Sequence, residues 1–341
     1  MRRSPLYATV VFLLLAALSC AAATQDDPEK QYQEFRGRLI EMYNAKQYAE
    51  GAKLIEENYD RFPDKATAMS YNMALFCVHL EDYDRAIAYL TKVHEKGQFF
   101  NIYAFQNEFW APLRANERFE AVIARNLAIK EEFQKTAKPK LEVTLPEGFD
   151  GAKTYPLFIA LHGGGENIEA FKPNWRSDLM EREFIIAWVQ SSQVATMNGY
   201  TWEEQETTRR EVREAYEKVC ADYPVDTSEV LIGGFSSGGY GSLVVTFFEP
   251  AVPVKGFVIL CPPMPENITA AEVTAARDRG VRGTIITTEL DNRVPAQRAM
   301  ADLLRDNGLQ YQFVMTPNIG HWYPDDFPSR LDGAIEHIWS R

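Results

Sequence analysis

The chain has 341 residues, of which 46% are hydrophobic, 12% aromatic and 25% charged, a globular composition with length enough for two compact domains. Its formal net charge of −12 is spread without a basic run, so the long-range field repels phosphate backbones and excludes nucleic acid as an expected partner. No CxxC, HExxH or histidine-rich tract occurs, and no metal or other cofactor is expected.

The first residues form a segment of their own. Arg2 and Arg3 precede an apolar run from Val10 to Leu18, and small residues follow, the layout of a signal peptide over 1–23. The run is too short for a transmembrane span, which needs about 20 residues. Ala21-Ala22-Ala23 suits an ordinary signal peptidase, whereas Leu18-Ser19-Cys20 resembles a bacterial lipobox, with Ala17 where a larger aliphatic residue is usual. The protein is therefore expected to be exported, periplasmic or secreted, and tethered to a membrane as a lipoprotein if Cys20 is acylated. The other cysteines, Cys77, Cys220 and Cys261, are an odd and widely spaced set that implies no disulfide framework. Cys77 and Cys261 read as small buried hydrophobes, and a Cys220 to Cys261 bridge is the pairing left open.

Over 27–136 the apolar residues recur at helical spacing, with Pro and Gly confined to turns such as Phe62-Pro63-Asp64, which predicts an all-helical domain. Gln47-Tyr48-Ala49-Glu50-Gly51 and Asp82-Tyr83-Asp84-Arg85-Ala86 align at a shift of 35 residues. That period, with Ala74, Tyr83, Ala86 and Leu90 in the second copy, resembles tetratricopeptide repeats. Phe109 to Phe119 is read as a cap on the short array. Such a domain serves either as a concave surface for a protein partner or as a prop packed on its neighbour. His79 and His94 lie in it with no second ligand or base at useful spacing, so structural roles are expected.

The periodicity changes near residue 137, and 137–341 is predicted to be an α/β domain. Strands are expected at 141–145, 155–161, 184–189, 230–234, 256–260, 284–287 and 311–315, and helices at 211–221, 238–248, 296–307 and 330–339. This alternation describes a doubly wound, mostly parallel sheet covered by helices on both faces, whose ligands bind at the carboxyl ends of the strands.

Candidate chemistry falls at those ends. Gly234-Phe235-Ser236-Ser237-Gly238 matches the GxSxG elbow between a strand and a helix, where glycines flank the serine because the turn leaves no room for side chains. Ser236 is the expected nucleophile. Leu161-His162-Gly163-Gly164-Gly165 resembles the HGGG oxyanion motif, in which bare backbone N–H groups approach a developing negative oxygen. The expected donors are the N–H groups of Ser237 and of Gly164 or Gly165, with His162 bracing the loop. A phosphate cradle is the competing reading, but the P-loop lysine is missing.

An acid and then a histidine should follow, each after a late strand. Glu289-Leu290-Asp291-Asn292-Arg293-Val294-Pro295 supplies Asp291, with Glu289 as an alternative because Thr288 replaces the usual Gly, and Asn318-Ile319-Gly320-His321-Trp322 supplies His321. The competing His337 falls inside the terminal helix. With these four ordered motifs, residues from about 140 onward resemble the α/β-hydrolase family, among its branches the secreted putative esterases, feruloyl-esterase-like, polyester-depolymerase-like and phospholipase/carboxylesterase enzymes. The resemblance implies a serine hydrolase acting on a small-molecule or polymer-borne carboxylic ester, with Gln190, Trp202 and Trp322 bordering the substrate cleft. A peptidase or acyltransferase would use the same triad, and a non-catalytic binding protein working through the helical repeats is the third reading.

Overall fold

The computed structural model describes residues 28–339. The predicted signal segment, Cys20 included, lies outside the described residues. The chain divides into two compact units. One runs to Gln98 and takes up again over Phe105–Asn126, and the other comprises Phe99–Ala104 and Leu127 onward.

The first unit is helical. Helices α1 (Pro28–Asn44), α2 (Tyr48–Asn58), α3 (Ala66–His79) and α4 (Tyr83–Glu95) are followed by the short α5 (Ala111–Arg114) and the start of α6 (Glu117–Thr136). Tyr48 and Tyr83, which the 35-residue shift aligns, are each the first residue of a helix. Asp82 caps α4 by accepting the Arg85 N–H, satisfying one donor that a helix start leaves open. Ala74, Ala86 and Leu90 are fully buried, small side chains at two of these positions allowing helices to approach closely. His79 stacks on Tyr48 with ring centroids 4.0 Å apart and bonds the Tyr43 hydroxyl, and His94 bonds Asn126.

The second unit is built on a seven-stranded sheet: β1 (Lys140–Thr144), β2 (Tyr155–Leu161), β3 (Ile185–Gln190), β6 (Val225–Phe235), β7 (Val254–Leu260), β8 (Arg282–Thr288) and β9 (Gln310–Thr316), with β4 (Gln193–Thr196) and β5 (Gly199–Thr201) pairing separately as a hairpin. Strand order in the large sheet is β1-β3-β2-β6-β7-β8-β9. β1 is antiparallel to β3 and every other pair is parallel.

Alternation along the strands builds two cores. Leu157, Ile159 and Leu161 of β2 point to one face with Ile185, Val230 and Ile232. There they meet α9 (Gln205–Asp222), α10 (Ser237–Phe248), α11 (Ala270–Asp278) and α12 (Val294–Asp306). Phe158, Ala160, Ile186 and Leu231 point to the other face, covered by α7 (Ile168–Phe171), α8 (Asp178–Glu183) and α13 (Phe327–Trp339). Because both faces are covered, β2 and β3 are apolar almost throughout instead of alternating with polar residues. Truncating one such buried aliphatic side chain costs about 2–5 kcal/mol. This double-sided core fixes the strands and so the loops at their carboxyl ends.

The changeover from helix to strand lies between Thr136 and Lys140, while compactness places residues 127–136 with the sheet. Cys77, Cys220 and Cys261 are all free thiols, so the Cys220 to Cys261 bridge is not formed.

Candidate active site

The β6 strand ends at Phe235, and the next residue turns the chain. Ser236 sits at φ 52°, ψ −117°, in a left-handed region that costs a non-glycine residue roughly 1–3 kcal/mol. The surrounding structure holds it there: the Ser236 N–H donates to the Leu260 carbonyl over 2.8 Å, and α10 starts at Ser237. The flanking glycines are dictated by close approach. A Cβ on either Gly234 or Gly238 would overlap the Leu161 carbonyl oxygen.

Two loops bring partners to the serine. His321 Nε2 lies 2.9 Å from Ser236 Oγ, and His321 Nδ1 lies 2.9 Å from Asp291 Oδ2. The Arg293 guanidinium also lies 3.2 Å from Nδ1, but the shorter contact is to a carboxylate, which can only accept; it assigns the proton to Nδ1 and leaves Nε2 facing the serine as the acceptor. Asp291 follows β8 and is 4% exposed. Its other oxygen accepts the Arg293 backbone N–H at 2.9 Å, with the Arg293 guanidinium 3.4 Å away. Burial works to raise the Asp291 pKa, but the bonds from His321 and the Arg293 N–H, with the charges of both residues, outweigh it and leave the group below its ordinary value. Glu289, the alternative acid, is exposed and accepts the Asn318 N–H instead. His337 lies in α13, in the last turn of that helix.

The glycine loop after β2 resolves into distinct roles. Gly163 N–H donates to Glu166 Oε2, and Gly165 N–H donates to the Tyr200 carbonyl, each at 2.8 Å. Gly165 is therefore spent on a structural bond and leaves the set of expected oxyanion donors. Gly164 N–H has no partner among the described residues, and a Cβ at Gly164 would lie 3.3 Å from Ser237 Oγ. Ser237 is the first residue of α10, where a helix leaves its N–H unpaired. Gly164 and Ser237 thus present two adjacent donors beside Ser236.

His162 is fully buried beneath this loop. Its Nδ1 bonds the Gly163 carbonyl at 2.8 Å and its Nε2 accepts the Ser191 N–H at 3.2 Å, an arrangement that requires the proton on Nδ1. Burial pushes its pKa down to about 4, against the opposing effect of the Gly163 bond. Both ring nitrogens are thus engaged with backbone groups of the loop and of the β3 end. Glu166 is raised by burial, only partly offset by the Gly163 N–H.

The three expected cleft residues separate. Trp202 is fully buried, and its Nε1–H donates to the His162 carbonyl at 3.1 Å; it is a core residue and not a cleft wall, because the chain around it forms a hairpin that folds the indole inward. Gln190 is 7% exposed and accepts the Ile168 N–H, so it also belongs to the interior. Trp322 is 55% exposed, its ring edge-on to Phe235 with centroids 6.1 Å apart. Two neighbours of the triad escaped the sequence reading. Phe235 sets its ring 5.0 Å from that of His321, and Leu290, next to Asp291, is 66% exposed. An apolar residue inside the elbow and another inside the acid loop were the available signals.

Cys261, Asp291 and His321 place one ligand-type atom each within 4.8 Å of the others. Burial pushes the Cys261 thiol up to about 11, which disfavours the thiolate a metal needs, and Asp291 and His321 are already bonded to each other.

The sheet order, the strand-elbow-helix at Ser236 and the placing of Asp291 after β8 and His321 after β9 define an α/β-hydrolase fold. No protein-family model matches the sequence, and no curated protein matches it. Among solved structures the chain is similar to an uncharacterized protein from Bacillus cereus ATCC 10987, at 24% identity and TM-score 0.49 over 90% of this chain and 98% of that one. It is also similar to a Bacillus cereus carboxylesterase, at 15% identity and TM-score 0.46 over 61% of this chain and 99% of the other. A dienelactone hydrolase-like promiscuous phosphotriesterase from metagenomic libraries matches at 14% identity and TM-score 0.48, over 60% and 94% of the two chains.

Proposed function

We propose that the protein is a serine hydrolase that cleaves carboxylic esters through an acyl-enzyme. The observation that carries this reading is the unbroken relay from Asp291 through His321 to Ser236, with both bonds at 2.9 Å, on an elbow that holds the serine in a strained conformation.

In this mechanism His321 Nε2 takes the Ser236 proton as Oγ attacks the ester carbonyl, and Asp291 stabilises the imidazolium that results. The carbonyl oxygen gains negative charge and receives the Gly164 and Ser237 N–H groups, a contribution worth about 3–4 kcal/mol per donor in such sites. His321 then gives its proton to the leaving alkoxide, the alcohol departs, and water attacks the acyl-enzyme by the same route in reverse. Trp322 and Leu290, exposed apolar side chains next to the base and the acid, offer contact area for an acyl or aromatic group.

Export is part of the proposal and rests on the first 23 residues alone; no helix among the described residues is long and apolar enough to cross a membrane.

A fluorophosphonate probe tests the reading. The purified protein should label, and Ser236→Ala and His321→Ala should lose labelling and turnover of a panel of acyl esters. A folded protein that neither labels nor hydrolyses any ester sinks the proposal, and turnover of peptides in place of esters redirects it to a peptidase.

A further inference from the structure

The chain ahead of the sheet contributes two segments, Phe99–Ala104 and the last part of α6 from Leu127, to the same compact unit as the active site. Both act on one element, the β4–β5 hairpin. Gln134 on α6 forms a two-point clamp at the start of the hairpin: its Nε2 donates to the Ser192 carbonyl and its Oε1 accepts the Val194 N–H, each at 2.8 Å. Phe99 and Ile129 close around Val194 as a small separate apolar cluster. At the same open end of the hairpin, where Gln193 pairs with Thr201, Tyr103 donates its hydroxyl to Glu203 at 2.8 Å, and Glu203 accepts the Thr201 hydroxyl at 3.0 Å.

The opposite edge of the hairpin holds the oxyanion loop. Tyr200 exchanges backbone bonds with that loop, accepting the Gly165 N–H and donating to the Glu166 carbonyl, both at 2.8 Å. The approach is so close that a Cβ on Gly199 would overlap the Gly165 carbonyl oxygen. Gly165, next to Gly164, is thereby tied to the hairpin, while Gly163 on its other side is held by Glu166 Oε2.

We propose that the pre-sheet segments are a splint for the oxyanion loop, with Gln134 as a positioning residue that acts on Gly164 through the hairpin. This rests on the serine hydrolase reading for its effect on turnover, and not for its effect on the loop. Gln134 touches no reacting atom. Its two hydrogen bonds fix the position of Val194 and Ser192, hence the register of the hairpin, hence the distance from Tyr200 to the loop. Displacing an oriented donor by about 1 Å can cost on the order of 100-fold in rate.

The test uses the full chain, Gln134→Ala and Gln134→Glu, with hydrogen exchange read by mass spectrometry and with kcat and KM on a nitrophenyl ester. In Gln134→Ala the peptide over 162–167 should exchange faster while the peptide over β8 is unchanged, and kcat should fall about 10- to 100-fold at nearly constant KM. Gln134→Glu keeps the acceptor for Val194 but sets a carboxylate oxygen against the Ser192 carbonyl, two acceptors facing each other, so it should also lose protection at 162–167 and kcat; if Gln134→Ala does not fold, this variant decides. Unchanged exchange at 162–167 overturns the splint, as does an equal loss of protection at β8. A wild-type protein without esterase activity or labelling defeats the hydrolase reading, and the exchange data still decide on the splint.

Discussion

Asp291 accepts the Nδ1–H of His321 over 2.9 Å while sitting 4% exposed, a buried carboxylate held below its ordinary pKa by the group it orients. The pair fixes which nitrogen of the imidazole faces Ser236. Asp291→Asn replaces an acceptor by a group that can also donate, and the wrong tautomer then becomes available. We expect kcat on an ester substrate to fall by about 10⁴-fold, as in other triads of this geometry, with the fold retained by circular dichroism.

The same carboxyl gives a sign for pH dependence. Because its pKa is lowered in the folded protein, its contribution to stability is complete above the ordinary aspartate value, about 3.9, and is lost as pH falls through the lower folded value. The thermal midpoint of Asp291→Asn should therefore approach that of the wild type at the acid end of a pH series and lie below it at neutral pH.

Glu166 behaves in the opposite sense. Burial raises its pKa against the pull of the Gly163 N–H, so its protonated form is favoured by folding. That stability is present below the ordinary glutamate value, about 4.3, and is lost as pH rises through the raised folded value. In Glu166→Gln the thermal midpoint should fall less than in the wild type over this rise, and an identical pH profile in the two proteins would refute the assignment.

Trp322 is exposed beside the base, with its ring against Phe235 and Tyr323. Trp322→Ala should raise KM for aromatic or long-chain esters about 2- to 10-fold, the value of one aromatic contact. The thermal midpoint and the labelling of Ser236 should change little.

Gly238 packs its backbone on the Leu161 and His162 carbonyls. Gly238→Ala forces either the elbow or the β2 end to move, and overpacking of this kind costs about 1–3 kcal/mol or more. Denaturant unfolding should show that loss, together with slower fluorophosphonate labelling because Ser236 and Gly164 shift relative to each other.

Much of this site is legible in the sequence because its parts are local. A strand, an elbow with glycines on both sides and a helix occupy consecutive residues around Ser236, and their steric demands are written in Gly234 and Gly238. The strands β2, β3 and β7 are apolar runs of the length a doubly covered sheet requires. Asp291 and His321 fall in short loops after strands in the expected order. The β4–β5 hairpin is absent from the strands expected of the sequence, since four- and three-residue strands carry too little pattern to be seen.

What the tertiary structure decided was how groups distant in the chain divide their bonds. Gly164 and Gly165 are identical as residues, and only the pairing of Gly165 with Tyr200 leaves the former as the free donor. Trp202 and Trp322 are equally aromatic, and only the packing puts one in the core and the other at the surface. The sequence by itself determined the layered sheet, the elbow at Ser236 and the loop that carries His321, because backbone sterics and side-chain periodicity act over a few residues. Which amides of the glycine loop are bonded, which tryptophan is buried and how Gln134 attaches to the hairpin were decided by long-range hydrogen bonding and burial, which no local pattern encodes.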